Sequence, residues 1–231
     1  MRTWHVDDVM TTDVVTVRED IPYREIVDTL TGRRVSAVPV VDEFRYVVGV
    51  VSEADLLHKI ELVGAEPERR VFAGRQRREA QAKAHGLLAR DLMSTPPVTV
   101  LPRATLAGAA RLMDQERVKR LPVVDDLGRL CGIVSRGDLL RVYLRPDAEI
   151  RRDVVEEVLG RTLWVEPGRV EVTVTGGVVT LQGRTDRLST AQLATKLTAN
   201  VPGVVEVVDG LGYEFDDRKL TGAQHSTYGL P

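Results

Sequence analysis

Residues 6–57 align without a gap on residues 89–140 at a constant offset of 83. Val15-Thr16-Val17 falls on Val98-Thr99-Val100, and Pro39-Val40-Val41-Asp42 on Pro122-Val123-Val124-Asp125. Gly49-Val50-Val51-Ser52 falls on Gly132-Ile133-Val134-Ser135, and Asp55-Leu56-Leu57 on Asp138-Leu139-Leu140. One structural unit occurs twice, so the fold must be read as a repeat before anything else.

Each copy carries the same local signals. A short strand (14–17 and 98–101) precedes a helix whose apolar stripe is Tyr23, Ile26, Val27 and Leu30 in the first copy. The second copy places Leu106, Ala109, Ala110 and Met113 at the same i, i+3, i+4, i+7 spacing. Pro22 suits a first helical turn, where its missing N–H costs nothing. A strand ending in Pro-Val-Val-Asp, a turn, a second strand (46–51 and 129–134) and a helix starting at Ser52 or Ser135 complete a β-α-β-β-α order. A unit this small exposes too much apolar surface alone. The two copies are therefore expected to pack as one core of mixed α/β (α+β) class.

Both copies resemble CBS (cystathionine beta-synthase) domains. The carrying residues are Asp8-Val9-Met10, Val15-Thr16-Val17, Val38-Pro39-Val40-Val41-Asp42 and Gly49 to Leu57, with Asp91-Leu92-Met93, Val98-Thr99-Val100, Leu121 to Asp125 and Gly132 to Leu140 in the second copy. The resemblance implies a cleft between repeats that takes an adenine nucleotide or relative (AMP, ADP, ATP or S-adenosylmethionine) as regulatory ligand, with no catalytic cofactor. It also implies ribose binding by Ser-x-x-Asp, here Ser52…Asp55 and Ser135…Asp138. A carboxylate can accept hydrogen bonds from two vicinal hydroxyls, and a helix start suits a phosphate. The same spacing is that of a capping box, and one residue can serve both roles.

The copies differ in charge at these positions. Lys119, Arg120 and Arg136 accompany the second copy, where the first has Ser36, Ala37 and Glu53. The preferred ligand site is therefore assigned to Thr99, Lys119, Arg120, Leu121, Pro122, Ser135, Arg136 and Asp138. A weaker one is assigned to Thr16, Val38, Pro39, Ser52 and Asp55.

The expected organisation is a first repeat over 1–62, a basic helical insert over 63–88, a second repeat over 89–145, a further domain over 147–215 and a flexible tail over 216–231. The insert holds Arg69, Arg70, Arg75, Arg77, Arg78 and Lys83 but no interleaved aromatics, which argues against base stacking. In the further domain Ile150, Val154 and Val158 mark an amphipathic helix, and 170–175 alternates as a half-buried strand. Gly176-Gly177 turns into a strand over 178–183; a helix bearing Leu193, Ala194, Leu197 and Val201 and a strand over 204–211 complete α-β-β-α-β. The run Gly177-Val178-Val179-Thr180-Leu181-Gln182-Gly183, with Val201-Pro202-Gly203-Val204, Val207 and Gly210, resembles a BON domain. That family implies contact with phospholipid or envelope components. Arg151, Arg152, Arg161, Arg169, Arg184 and Arg187 are the candidates for a basic surface.

Bulk properties narrow the function further. A net charge of −2 supplies no general field for nucleic acid or an anionic membrane. No run of 18 apolar residues or secretory leader is present, so a cytoplasmic protein, or one peripheral at a membrane, is expected. Cys131 has no sequence-adjacent cation and reads as core filling. The four histidines are scattered, and neither a P-loop nor a nucleophile elbow occurs, so neither metal binding nor catalysis is expected. The expected function is a homodimeric sensor with the BON-like domain as output. The rivals are a lipid- or envelope-interacting protein with the CBS pair as scaffold, and a nucleic-acid-associated regulator.

Overall fold

The computed structural model describes residues 4–61, 83 and 85–220, and these divide into two compact units, one within His5–Leu139 and the other made of Trp4 with residues 140–220. In the first unit the first repeat forms α1 (Tyr23–Arg33), β1 (Ala37–Val41), β2 (Val47–Ser52) and α2 (Glu53–Glu61). The second forms α3 (Ala89–Leu92), α4 (Leu106–Gln115), β3 (Arg120–Val124), β4 (Leu130–Ser135) and α5 (Arg136–Leu140). The expected opening strands are reduced to single parallel bridges, Val17 to Val40 and Val100 to Val123. Each flanks an antiparallel hairpin, β1–β2 or β3–β4, of identical register: Ala37 faces Ser52 as Arg120 faces Ser135.

The helical stripes are buried as their spacing requires. Ile26, Leu30, Ala109 and Met113 are inaccessible or nearly so, while Ala110 lies on the exposed side. The repeats are not self-contained, because each sends its opening segment onto the other. Ala89 and Leu92 of the second copy pack with Ile26, Leu30, Val38, Val40 and Val51 of the first. Backbone hydrogen bonds stitch Ser94 to Val50 (2.9 and 3.2 Å), and the counterpart Thr11 to Ile133 (2.9 Å in both directions). The Met of each Asp-x-Met segment then lies over the opposite hairpin. A Cβ on Gly132 would stand 2.5 Å from Met10 Sδ, and one on Gly49 2.9 Å from Met93 Cβ. Those two glycines permit the exchange.

The other unit builds α6 (Asp147–Asp153), which continues as a π-helical stretch Val154–Thr162, then β5 (Val170–Thr175), β6 (Val178–Arg187), α7 (Leu188–Ala199) and β7 (Glu206–Phe215). Its sheet runs β5-β6-β7, with β5–β6 antiparallel and β6–β7 parallel. Ile150, Val154 and Val158 are buried against Val172, Val179 and Leu181. The expected stripe on α7 is shifted: Ala191, Ala194 and Thr198 are buried, whereas Leu193 is exposed, because small residues let α7 sit close to the sheet. Gly183 is required where β6 meets Arg169. Its φ is +131°, and a Cβ there would overlap the Arg169 carbonyl.

Arg145 is largely buried; it donates to Pro202 O (2.6 Å) and Asp153 Oδ2 (2.7 Å) and lies over the Trp4 ring. The start of the expected tail is anchored instead of loose. Asp217 accepts hydrogen bonds from Ser189 N (3.0 Å) and Oγ (2.5 Å) at the start of α7. Residues 221–231, and the insert residues 62–82 and 84, lie outside the described residues.

Candidate functional site

The exchange of opening segments decides which side chains meet. One cavity of about 300 Å³ is lined by Ser52, Glu53 and Asp55 of the first repeat and by Arg117, Lys119 and Arg120 of the second, with Ser94 and Pro96 to Val98 closing its side. A second, of about 230 Å³, is lined by Ser135 and Asp138, by Arg34 to Ala37, by Thr11 and Asp13 to Val15, and again by Arg120. Each cleft therefore combines the Ser-x-x-Asp corner of one repeat with the helix-to-strand turn of the other.

This corrects the sequence grouping of the cations. Both Lys119 and Arg120 were expected beside Ser135 and Asp138; Lys119 instead lines the cleft that holds Ser52 and Asp55, while Arg120, paired opposite Ser135 in the hairpin, lines both. The reason is topological: Lys119 lies in the turn just ahead of β3, which faces the Ser52 to Asp55 corner of the other repeat. Ser36 and Ala37 also line both cavities, and Arg120 is the shared cation. Several expected contacts line neither. Val38, Pro39, Leu121 and Pro122 are buried within β1 and β3. Thr16 and Thr99 lie outside both cavities, and Arg136 reaches back to Met113 O (3.5 Å).

Two arginines not assigned to a site from sequence do line the clefts. Arg34 and Arg117 are repeat counterparts, and both adopt left-handed backbone (φ 53° and 55°) directly after the first helix. That turn aims each at the opposite Ser-x-x-Asp corner. Recurrence of Arg at the offset of 83 was the available signal.

The capping reading of Ser-x-x-Asp is realised in both corners. Asp55 Oδ2 accepts from Ser52 N (2.8 Å) and Oγ (2.6 Å), and Asp138 Oδ2 accepts from Ser135 N (2.9 Å) and Oγ (2.7 Å). These bonds hold each carboxylate rigidly at its cleft. Asp55 Oδ1 is approached by the Lys83 ammonium and by Ser94 Oγ (3.4 Å).

Arg120 is the electrostatic centre. Burial lowers its pKa, and the carboxylates of Glu53 and Asp138 act in the opposite direction. Its guanidinium donates to Ser36 Oγ. A half-buried cation between two acidic corners is placed to meet an anion in either cleft. Elsewhere the chemistry is structural. Burial raises the Cys131 thiol pKa, and Cys131 Sγ donates to Val123 O (3.4 Å). His5, Asp7 and Asp8 gather their ligand atoms within 4.8 Å, but His5 N–H donates to Asp8 Oδ2 (2.9 Å) and Asp7 faces Arg103, as in a capped turn.

Four of the arginines of the other unit have protein partners. Arg169 is paired with Asp186, Glu214 and Glu166, and this acidic surround raises its pKa, with Asp186 the largest cause. Arg151 and Arg184 donate to Val172 O (2.8 Å) and Tyr213 O (3.1 Å), and Arg161 pairs with Glu157.

Two hairpin-and-helix repeats that exchange opening segments around paired clefts define a CBS pair. The sequence matches the CBS domain family over residues 6–62 and 89–145, and the BON domain family over 146–214. The chain belongs to the CBS-pair family, with a BON domain following the pair. It is 31% identical over 142 residues to the CBS domain-containing protein CBSX1, chloroplastic, of Arabidopsis thaliana, covering 58% of this chain and 60% of that one. The chain thus spans about three fifths of that curated relative. A crystal structure of CBSX2 in complex with AMP, from the same plant, superposes with a TM-score of 0.53 at 31% identity, covering 61% of this chain and 97% of that one. The CBS pair of protein MJ0100, crystallised with 5'-methylthioadenosine and S-adenosyl-L-methionine, shares the fold at 20% identity and a TM-score of 0.50, covering 62% of this chain and 97% of that one. Among the described residues no helix is long and apolar enough to cross a membrane.

Proposed function

We propose that this chain is a non-catalytic sensor in which an adenosine-bearing nucleotide occupies the cleft between the repeats. The observation that carries the reading is the convergence of Asp55 with Arg117, Lys119 and Arg120 on one cavity of about 300 Å³. A rigid carboxylate suits vicinal ribose hydroxyls, and three cations at the other end suit a phosphate. Kinship with a CBS pair crystallised with AMP supports the same ligand class. The Asp55 cleft is therefore the primary anionic-ligand site and the Asp138 cleft the lesser one, the reverse of the ranking from sequence. Occupancy would shift the population of pair conformations by no more than the ligand's differential affinity for them. The BON domain is the proposed output, and the functional unit a cytoplasmic homodimer.

Calorimetric titration with AMP, ADP, ATP and S-adenosylmethionine tests this. At least one should bind, and Asp55→Asn should weaken it about 10- to 100-fold, the scale of lost charge-assisted hydrogen bonds. Asp138→Asn should weaken it less. Absence of binding by all four refutes the sensor reading, and an equal response of the two variants refutes the ranking. Light scattering at micromolar concentration tests the dimer.

A second reading, lipid contact through the BON domain, draws on Trp164, which is 85% exposed. Indole rings favour membrane interfaces. Sedimentation with anionic vesicles that is lost in Trp164→Ala would favour it.

A further inference from the structure

The insert between the repeats brings a side chain onto Asp55 and Ser94 of the first cleft, a role that family resemblance and the pattern of the repeats leave unassigned. Lys83 lies on neither repeat, yet its ammonium forms an ion pair with Asp55 Oδ1 and donates to Ser94 Oγ (2.8 Å). The Lys83 and Asp55 side chains are only 16% and 12% exposed. Asp55 Oδ2 is already committed to Ser52 N and Oγ. A ribose diol that seeks this carboxylate must therefore take the oxygen that Lys83 holds.

We propose that Lys83 is a specificity-determining residue of this cleft, one that competes with ribose for Asp55 and thereby selects phosphate-bearing adenosine compounds over neutral ones. The inference rests on the adenosine reading of the site. Displacement by a neutral ligand leaves an ammonium without its counter-ion in a cleft already lined by Arg117, Lys119 and Arg120. That is costly, because separating a largely buried pair uncovers a charge in a poorly solvated place. A ligand with a phosphate brings a replacement counter-ion in the same step, so its net cost is smaller. Asp55 thus serves as ribose acceptor and Lys83 as the competitor that neutral nucleosides cannot compensate.

The test is titration of the full chain with adenosine and with AMP, for the native protein and Lys83→Met, which keeps the aliphatic stem without the charge. In Lys83→Met adenosine affinity should rise about tenfold, the effect of deleting one partly buried pair. AMP affinity should rise less, so the preference for AMP over adenosine should fall. Unchanged affinities, an equal gain for both, or weaker adenosine binding would each overturn the proposal. A ligand-free arm stands apart from the nucleotide reading: acetic anhydride labelling followed by mass spectrometry. Lys83 should react several-fold faster in Asp55→Asn than in the native chain, and equal rates would remove the competing contact itself. Absence of binding by AMP and adenosine, with the native Lys83 protected, would instead overturn the adenosine reading and this specificity with it. A matching thermal midpoint for Lys83→Met excludes misfolding as the cause of any change.

Discussion

Replacing Arg120 by Met should separate phosphate recognition from every other property of the CBS pair. Arg120 lines both clefts, is half-buried, and feels the carboxylates of Glu53 and Asp138. Met roughly preserves the stem while removing the charge and the donors, including the one to Ser36 Oγ. A hydrogen bond to a charged group is worth about 1.5–3 kcal/mol. Half-exposure to solvent brings the expectation to the lower end, about a tenfold loss for AMP at each tenfold per 1.4 kcal/mol. Adenosine, with no phosphate to meet the guanidinium, should change by less than about threefold. Stability should alter little, because the lost attraction to Glu53 and Asp138 is offset by relief of the desolvation that lowers the Arg120 pKa. Isothermal calorimetry with both ligands, beside a thermal melt, reads all three quantities. Equal losses for AMP and adenosine, or an unaltered AMP affinity, would refute the assignment of Arg120 to the phosphate end.

Gly49→Ala should destabilise the pair by about 1–3 kcal/mol in denaturant titration, the usual cost of overpacking, because Met93 Cβ has little room to move. Gly132→Ala should cost less, since there the flexible Sδ of Met10 alone would come closer than 3.0 Å, whereas at Gly49 the whole stem of Met93 does. Gly183→Ala should lower the melting temperature of the BON unit more than either, since the new Cβ meets the Arg169 backbone and must also adopt a φ of +131°. Asp217, whose pKa is lowered chiefly by the hydrogen bond from Ser189 Oγ, gives a pH-dependent outcome. A depressed carboxylate contributes stability above the ordinary aspartate range, about pH 4, and loses it as pH falls through its lowered value. The Ser189 amide resonance should therefore hold steady from neutral pH down to about pH 4 and shift only in stronger acid. In Asp217→Asn that acid transition should vanish.

Much of the architecture was legible in the chain because repetition and periodicity are properties of one dimension. The offset of 83 specified two copies, and the i, i+3, i+4, i+7 stripes placed Ile26, Leu30, Ala109 and Met113 in the core. Hairpins, BON topology and the capping role of Asp55 and Asp138 followed from residue types at short separations. Where a stripe misled, as at Leu193, sheet packing against small residues outweighed hydrophobicity.

The grouping of the clefts was not legible. Lys119, Arg120 and Asp138 are close in sequence, and local reasoning joined them into one site. Exchange of the opening segments across Val50–Ser94 and Thr11–Ile133 instead set the Asp55 corner against Lys119 and left Arg120 shared by both clefts. Lys83 gave no local sign of its destination, 28 residues from Asp55. The sequence alone determined that two copies of one unit exist, because a repeat needs no partner to be recognised. Which corner of one copy faces which cation of the other was decided only in three dimensions, because the clefts form between copies, where chain separation carries no information about distance.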